Sequence, residues 1–259
     1  VNLHDHNILP MNMIYVTFNL SYRGSYGFEN EDQLFEALNK TYSEIFRVVE
    51  NNNGVVQSFD GLDAVMLFPE GAKDAFNASI QFKEVNIPKL VKKYINITLG
   101  SGDVLVGVSG NKDRRGVVVV SDEIMQMFNM DTFLGTIGVN HVATRSIIES
   151  LGENHPYQYR FIGMMGNITG DGHTDVFEII DVSKKYRKDL YITTKETFEN
   201  GIKNYICGNF EEARAMFTDV LRINENDKVA VYYLMKCEKQ IKRKTDNIFV
   251  KDKFTGYIV

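Results

Sequence analysis

The amino-acid sequence predicts a mixed α+β domain followed by an all-helical C-terminal part. Between residues 13 and 181, short runs rich in β-branched and aromatic residues alternate with longer segments of helical periodicity. From about residue 190 only the helical periodicity remains. Hydrophobic residues make up 44% of the 259 positions and charged residues 24%, which is typical of a globular protein with a substantial core.

Composition and charge argue against several classes of partner and site. The formal net charge of -5 argues against nucleic acid as a partner. No run approaches about 18 apolar residues, so we expect no membrane contact by this segment itself. The two cysteines, Cys207 and Cys237, lack the C-x-x-C spacing of zinc and redox motifs, which favours a cytoplasmic setting. Because the first residue is Val1, we expect a piece of a longer protein, in which any membrane anchor would lie upstream.

The first elements are a strand, a helix and a hairpin. Residues 1–12 are interpreted as an N-terminal extension or linker, and residues 13–22 mix β-branched and aromatic residues as a buried strand does. Apolar residues recur at helical spacing over 31–52, and "NNNG" ends that helix. The stretch "VVQSFDGLDAVMLF" (55–68) then predicts a hairpin, since two apolar runs flank the turn residues "DGL".

The middle of the sequence predicts a second helix and further strands. "KDAFNASIQFKEV" has helical spacing, and "INITLGSGDVLVGVSG" (95–110) predicts a strand, a tight turn and another strand. The four consecutive valines of "RRGVVVVSD" predict a strand that is buried on both faces. A helix is expected to follow Ser121 and Asp122, which can cap it.

The α+β part closes with a helix and a pair of strands. "NHVATRSIIESL" (140–151) has helical spacing. The segment 157–182 then predicts two strands around the turn "TGDGH".

The helical periodicity of residues 190–242 predicts helices, and residues 243–259 are interpreted as a C-terminal tail. The helical pattern rests on Gly201, Tyr205, Ala213 and Phe217, with a break near 224–227. This pattern resembles the tetratricopeptide repeat. One such repeat cannot bury its faces alone, so we expect it to dock on the main domain, on further repeats or on a protein partner.

Five segments carry a second resemblance. They are "YVTFNLSYRG", "GVVQSFDGLDAVMLF", "GSGDVLVGVSG", "RRGVVVVSDEIMQMFN" and "YRFIGMMGNITGDGHTDVFEII". In this order and spacing they resemble the segments of the class III nucleotidyl cyclase domain, the adenylate and guanylate cyclase family, over residues 13–185. The resemblance implies a ferredoxin-like α+β fold, in which helices flank a central, mainly antiparallel sheet.

The resemblance also implies a mechanism with which the residues can be compared. In this family two aspartates hold two divalent ions, Mg²⁺ or Mn²⁺, which position the triphosphate and lower the pKa of the ribose 3′-hydroxyl. An asparagine orients the ribose, an arginine stabilises charge on the phosphates, and a lysine and an aspartate read the purine. The site forms across a dimer interface, to which each subunit contributes part.

Of the six matching positions, only Asp122, at the purine-reading aspartate, keeps the family residue. The other five are degenerate: Ser21 and Leu62 stand at the metal aspartates, Ser58 at the purine-reading lysine, Met125 at the ribose-orienting asparagine and Asn129 at the arginine. Leucine offers no oxygen to a hard cation, and Asn129 offers no charge to a phosphate. The resemblance therefore implies a scaffold that is kept and a catalytic site that is lost.

The acids near the hairpin leave an alternative open. A rival alignment, which needs a deletion, places Asp63 instead of Leu62 at the second metal position. An active cyclase would then use an atypical metal site drawn from Asp60, Asp63 and Asp103. A third alternative is a module that binds nucleotide through Asp122 without turnover, although Asp122 can equally be a helix cap.

The favoured interpretation is a catalytically inactive, cyclase-like signalling domain of bacterial type. It predicts no catalytic residue, and no cofactor unless the active alternative holds, in which case Mg²⁺ or Mn²⁺ is needed. It also predicts a homodimer or heterodimer through the cyclase face and a protein partner at 190–242. The role expected from these features is regulation or dimerisation in intracellular signal transduction.

Overall fold

The computed structural model describes residues 6–18, 30–60, 62–86, 95–111, 113–170, 172–180 and 185–245. The chain divides into two compact units. The first comprises residues 1–131 and 143–156, and the second comprises residues 132–142 and 157–259. No helix among the described residues is both long enough and apolar enough to cross a membrane.

The first unit is built on an antiparallel sheet. Its strands are β1 (His6–Phe18), β2 (Val55–Asp60), β3 (Asp63–Phe68), β4 (Ile95–Gly110) and β5 (Arg115–Val120). The strand order is β2-β3-β1-β4, and β5 pairs with the last six residues of β4, from Leu105 to Gly110. The predicted hairpin at 55–68 is therefore confirmed as β2 and β3, with a bulge in β2 between Val56 and Ser58.

Helices lie on both faces of this sheet. They are α1 (Glu31–Asn51), α2 (Ala72–Glu84), α3 (Asp122–Ile137) and α4 (Arg145–Ser150). The predicted helix at 31–52 is confirmed as α1, which begins after Asn30, whose side chain accepts a hydrogen bond from the Gln33 backbone N–H at 2.9 Å. On the other face, Ile124 and Met127 of α3 join one buried cluster with residues of β1, β3 and β4.

The second unit contains a strand hairpin and three helices. Its elements are β7 (Tyr159–Gly166), β8 (His173–Ile179), α5 (Lys185–Ile206), α6 (Phe210–Ile223) and α7 (Lys228–Thr245). The predicted closing strands and the helical character after residue 190 are confirmed. Packing of α5 on α6 is close, because a Cβ atom on Gly201 would lie 2.9 Å from the Phe217 ring.

The structure corrects the predicted turn within residues 95–110. This segment is one continuous strand, β4, which pairs with β1 from Ile95 to Gly107 and with β5 from Leu105 to Gly110. Its glycines serve close packing, because a Cβ atom at Gly100 would lie 2.4 Å from Oε1 of Glu123 on α3. The strand β1 also begins at His6, so residues 6–12 belong to the sheet and not to a linker.

The valine run and the helix at 140–151 also differ from prediction. Val117, Val118 and Val120 are 68%, 42% and 56% exposed, since β5 pairs only with β4 among the described residues. Burial on both faces, which the four valines predicted, is therefore wrong. The segment 140–151 begins with a short buried strand, β6 (His141–Thr144), and becomes helical only in α4.

Candidate functional site

Leu62 lies in the turn of the β2–β3 hairpin, and its side chain cannot serve as a metal ligand. The Leu62 backbone N–H donates to the Asp60 carbonyl at 2.6 Å, and the leucine side chain is 37% exposed. Asp60 and Asp63 face each other as a cross-strand pair directly beside this turn. The apolar Leu62 side chain offers no oxygen donor, so it cannot hold a hard divalent ion.

Asp63 points to the face of the sheet that α3 covers. It is opposite Thr17 on β1, and its carboxylate accepts a hydrogen bond from the Tyr15 hydroxyl. Partial burial raises the pKa of Asp63 above its ordinary value, and the charges of Asp131 and Asp60 raise it further. Burial and the same Asp63 and Asp131 charges raise the pKa of Tyr15.

Asp131 completes this polar cluster, and the sequence analysis did not identify it. Its Oδ1 accepts hydrogen bonds from Thr17 Oγ1 at 2.6 Å and from Asn96 Nδ2 at 2.7 Å. These bonds tie α3 to β1 and β4. The sequence does contain a signal, since Asp131 follows the buried Ile124 and Met127 at the helical spacing that a core-facing position requires.

The outer face of α3 carries three of the predicted site residues. Asp122, Met125 and Asn129 are three and four residues apart, so they share one helix face, and all three are exposed. Asp122 is the first residue of the helix, and the residue before it is Ser121. The hydroxyl of Ser121 is buried and, within the described part of the chain, makes no hydrogen bond, so the predicted side-chain cap at Ser121 is not formed.

The remaining predicted residues are dispersed. Ser58 is exposed on β2, and Ser21 lies outside the described residues. Asp103 is exposed on β4 opposite Pro10, whereas Asp63 is opposite Thr17. Seven residues of β1 separate those two register positions, which is about 23 Å along a strand. The structure therefore brings Asp60 and Asp63 together but keeps Asp103 away from them.

The residues near the hairpin do not fit a pair of divalent ions. Asp63 and Asp131 lie on the same face of the sheet, but both already accept hydrogen bonds from neighbouring side chains. No group of three or more His, Cys, Asp or Glu side chains is placed to hold a metal ion in the ranges that the structure covers.

A second buried acid, Glu123, holds the start of α3 against β4. Its Oε1 accepts hydrogen bonds from Thr144 Oγ1 at 2.6 Å and Ser146 Oγ at 3.0 Å. The side chain covers the backbone of Gly100 and Gly102, where any Cβ atom would crowd it. Burial raises the pKa of Glu123, although the hydroxyl donors oppose that shift. Glu123 thus fixes the end of α3 from which Asp122 projects.

Comparisons with known proteins agree with this architecture. No family model matches the chain. The chain is 20% identical to an adenylate cyclase, terminal-differentiation specific, of Dictyostelium discoideum over 226 residues, which are 82% of this chain and 10% of that protein. Among solved structures, a bacterial light-regulated adenylyl cyclase superimposes with a TM-score of 0.58 at 13% identity, over 71% of this chain and 56% of the other. The adenylyl cyclase CyaB from P. aeruginosa gives 0.55 at 13% identity, over 70% and 98%.

The chain has the class III nucleotidyl cyclase fold. The predicted resemblance is confirmed at the level of fold, and the chain spans only a tenth of the curated relative that it matches. A third solved cyclase domain bears on assembly. The guanylyl cyclase domain of the RhoGC fusion protein from the aquatic fungus Blastocladiella emersonii, described as a non-canonical dimer, gives a TM-score of 0.50 at 14% identity, over 68% and 98%.

Proposed function

We propose that this chain is a cyclase-like domain that does not turn over nucleotide and acts as a regulatory or dimerisation module in intracellular signalling. One observation carries the proposal. The exposed face of α3 presents the carboxylate of Asp122, the thioether of Met125 and the neutral amide of Asn129, and none of them is a cation. A triphosphate requires positive charge at this position, and loss of one such group costs on the order of 10²–10³ in rate.

The hairpin supports the same conclusion independently. Leu62 and Ser58 stand where the gapless alignment expects a metal aspartate and a purine-reading lysine, and both are exposed at the sheet's edge hairpin. Three groups of the cyclase pattern are then missing: a metal aspartate, a ribose-binding amide and a phosphate-binding cation. These groups act together to stabilise the transition state.

A dimer is the assembly that the exposed surface favours. Met125, Phe128 and Leu62 are 46%, 38% and 37% exposed. Phe128 lies near the hairpin, because its ring centroid is 4.4 Å from that of Tyr15, whose hydroxyl donates to Asp63 next to Leu62. Exposed apolar groups of this kind mark association surfaces, and a twofold axis can bury the same patch of both copies. The dimeric fungal relative is consistent with such pairing.

The dimer is tested by sedimentation equilibrium of the purified chain and two matched variants. Met125→Lys places a charge in the proposed interface and should weaken dimerisation on the order of tenfold or more. Phe35→Lys is the control, because Phe35 is 63% exposed on α1, which lies on the opposite face of the sheet. A monomeric wild-type chain, or equal weakening by both variants, would contradict this assembly.

A second candidate function is an active cyclase with an atypical metal site, and one observation favours it. The carboxylate of Asp63 is close enough to Asp131 for the charge of Asp131 to raise its pKa. Two neighbouring acids on one face could attract Mg²⁺ or Mn²⁺. Against this candidate, both acids are engaged by hydroxyl or amide donors, and Asp103 lies elsewhere on the sheet.

The helices after residue 185 are a separate part of the proposal. Their tetratricopeptide-like pattern, with Gly201 packed on Phe217, supports a protein-binding role for residues 190–242. A cytoplasmic location fits the two unpaired cysteines, Cys207 and Cys237.

A further inference from the structure

A fully buried arginine lies at the centre of the second unit. Arg160 on β7 is 0% exposed. Its Nη1 and Nη2 donate to the two carboxylate oxygens of Asp227 at 2.5 and 2.9 Å. Its Nε and Nη2 also contact Oε2 of Glu178 on β8 at 2.8 and 2.6 Å. Two carboxylates therefore surround one guanidinium, a geometry that satisfies the planar fork of arginine.

The helices supply the rest of the arginine's environment. The rings of Tyr191 and Phe198, both on α5, have centroids 4.4 and 3.8 Å from the guanidinium carbon. Asp227 in turn accepts a hydrogen bond from the Ala230 backbone N–H at 3.1 Å and so caps the first turn of α7. One side chain of β7 thus contacts β8, α5 and the cap of α7.

The main chain next to Arg160 is also satisfied by the helices. The Phe161 backbone N–H donates to Oε1 of Glu199 on α5 at 2.8 Å. The hydroxyl of Tyr233, on α7, donates to the Ile162 carbonyl at 2.8 Å. Among the described strands, β7 pairs with β8 along one edge, and its other edge has no neighbouring strand. Side chains of α5 and α7 therefore take the place of a further strand along this edge.

Separation of the helices from the hairpin would leave these groups without partners. Arg160 would lose Asp227 and both aromatic rings, and the N–H of Phe161 and the carbonyl of Ile162 would lose their hydrogen bonds. Opening this contact therefore costs the charge-assisted bonds to Asp227, the two ring contacts and the two backbone hydrogen bonds together. We therefore expect that α5–α7 and β7 do not behave as separate domains.

We propose that α5–α7 and the β7–β8 hairpin form one cooperative transmission arm, in which Arg160 couples the helices to the hairpin. A protein that binds the helices and changes their packing would then change the hairpin as well. This inference goes beyond the proposed function, and it does not depend on whether the domain is catalytic or dimeric.

Native-state hydrogen exchange of the whole chain, measured over a series of low urea concentrations, tests the proposal. We expect backbone amides of β7 and of α6 and α7 to exchange through the same opening, with one common free energy and one urea dependence. Helix amides that open at lower urea while β7 stays protected would overturn the proposal, and this result needs no variant.

Two variants identify Arg160 as the coupling residue. The triple variant Arg160→Met, Glu178→Gln, Asp227→Asn removes the charges together, leaves no buried charge unpaired and retains a capping side chain before α7. We expect it to separate the two openings, so that helix amides exchange at least about tenfold faster relative to β7 amides. Arg222→Met is the control, because Arg222 is 74% exposed and its ion pair is with Asp219 on its own helix. Equal behaviour of the triple variant and the control would contradict the role of Arg160.

Discussion

At the scale of single residues, Glu123 and Asp63 have different surroundings on the α3 face of the sheet. Glu123 is held by Thr144 and Ser146 and packs on glycine backbone, whereas Asp63 lies beside the hairpin turn next to Tyr15. Burial raises the pKa of both carboxyls, so each ionised form costs free energy in the folded state. These acids are structural in the proposed account, and neither takes the place of a catalytic base.

The raised pKa of Glu123 predicts how the free energy of unfolding changes with pH. An acid whose folded-state pKa is raised contributes stability at low pH, and this contribution is lost as the pH rises through the folded-state pKa. Glu123→Gln stays neutral, so its stability relative to wild type should rise as the pH increases from about 4, the ordinary pKa of glutamate, to neutral pH. Urea denaturation across that range measures the difference.

The control for this prediction is Glu149→Gln on α4, where the side chain is 67% exposed. It should show a smaller change with pH than Glu123→Gln. A stability difference between Glu123→Gln and wild type that stays constant across the range would show that the burial of Glu123 has no such cost.

At the scale of elements, the packing of α3 on β4 explains why glycines occupy the interior of a long strand. Glycine weakens strands on its own, but Gly100 and Gly102 allow the Glu123 side chain to lie directly on the backbone. The same close approach fixes the start of α3, and with it the face that carries Asp122, Met125 and Asn129.

Gly100→Ala should therefore destabilise the protein by about 1–3 kcal/mol, because the added Cβ atom would overlap a side chain that two hydroxyls hold in place. Gly116→Ala on β5 is the matched control, since a Cβ atom there meets nothing within 4 Å. It should be neutral or slightly stabilising, by less than about 1 kcal/mol. Equal destabilisation by both substitutions, measured by urea denaturation, would contradict this explanation of Gly100.

Elements with a strong local pattern could be predicted from the sequence, and elements defined by distant contacts could not. The periodicity of α1 and the alternation on either side of "DGL" specify a helix and a hairpin locally. Locally, the glycines of β4 predict a turn. They are needed because the Glu123 side chain packs on their backbone, and Glu123 is distant in the sequence. The valines of β5 resemble a buried strand, although β5 pairs with one strand only among those described.

The same distinction applies to the site. The positions predicted to differ from the cyclase pattern could be named from the resemblance, because each is a single residue at a fixed spacing. The cluster around Asp131 was not predicted, because Thr17 and Asn96 meet it only after β1, β4 and α3 have packed. The distance of Asp103 from Asp63 likewise depends on strand register, which the local sequence does not specify.

At the scale of the whole molecule, the chain combines a class III cyclase fold with a site that we propose to be inactive. The fold includes the β2–β3 hairpin, the long strand β4 and the helix α3, on which Asp122, Met125 and Asn129 are exposed. In the proposed function, Leu62, Met125 and Asn129 replace a metal ligand, a ribose-binding amide and a phosphate-binding cation. A domain of this kind would act through its shape, and the proposed dimer surface and transmission arm are the two parts that would carry that role.

The most direct test is a turnover assay of the purified chain with ATP and with GTP, each with Mg²⁺ and with Mn²⁺. If the domain is inactive, cyclic AMP and cyclic GMP will not exceed the level formed without protein, even at protein concentrations comparable to the nucleotide. The double variant Asp63→Asn, Asp131→Asn should then be indistinguishable from wild type. Cyclic nucleotide formed by the wild-type chain and lost in the double variant would contradict the account and establish an active cyclase with an atypical metal site.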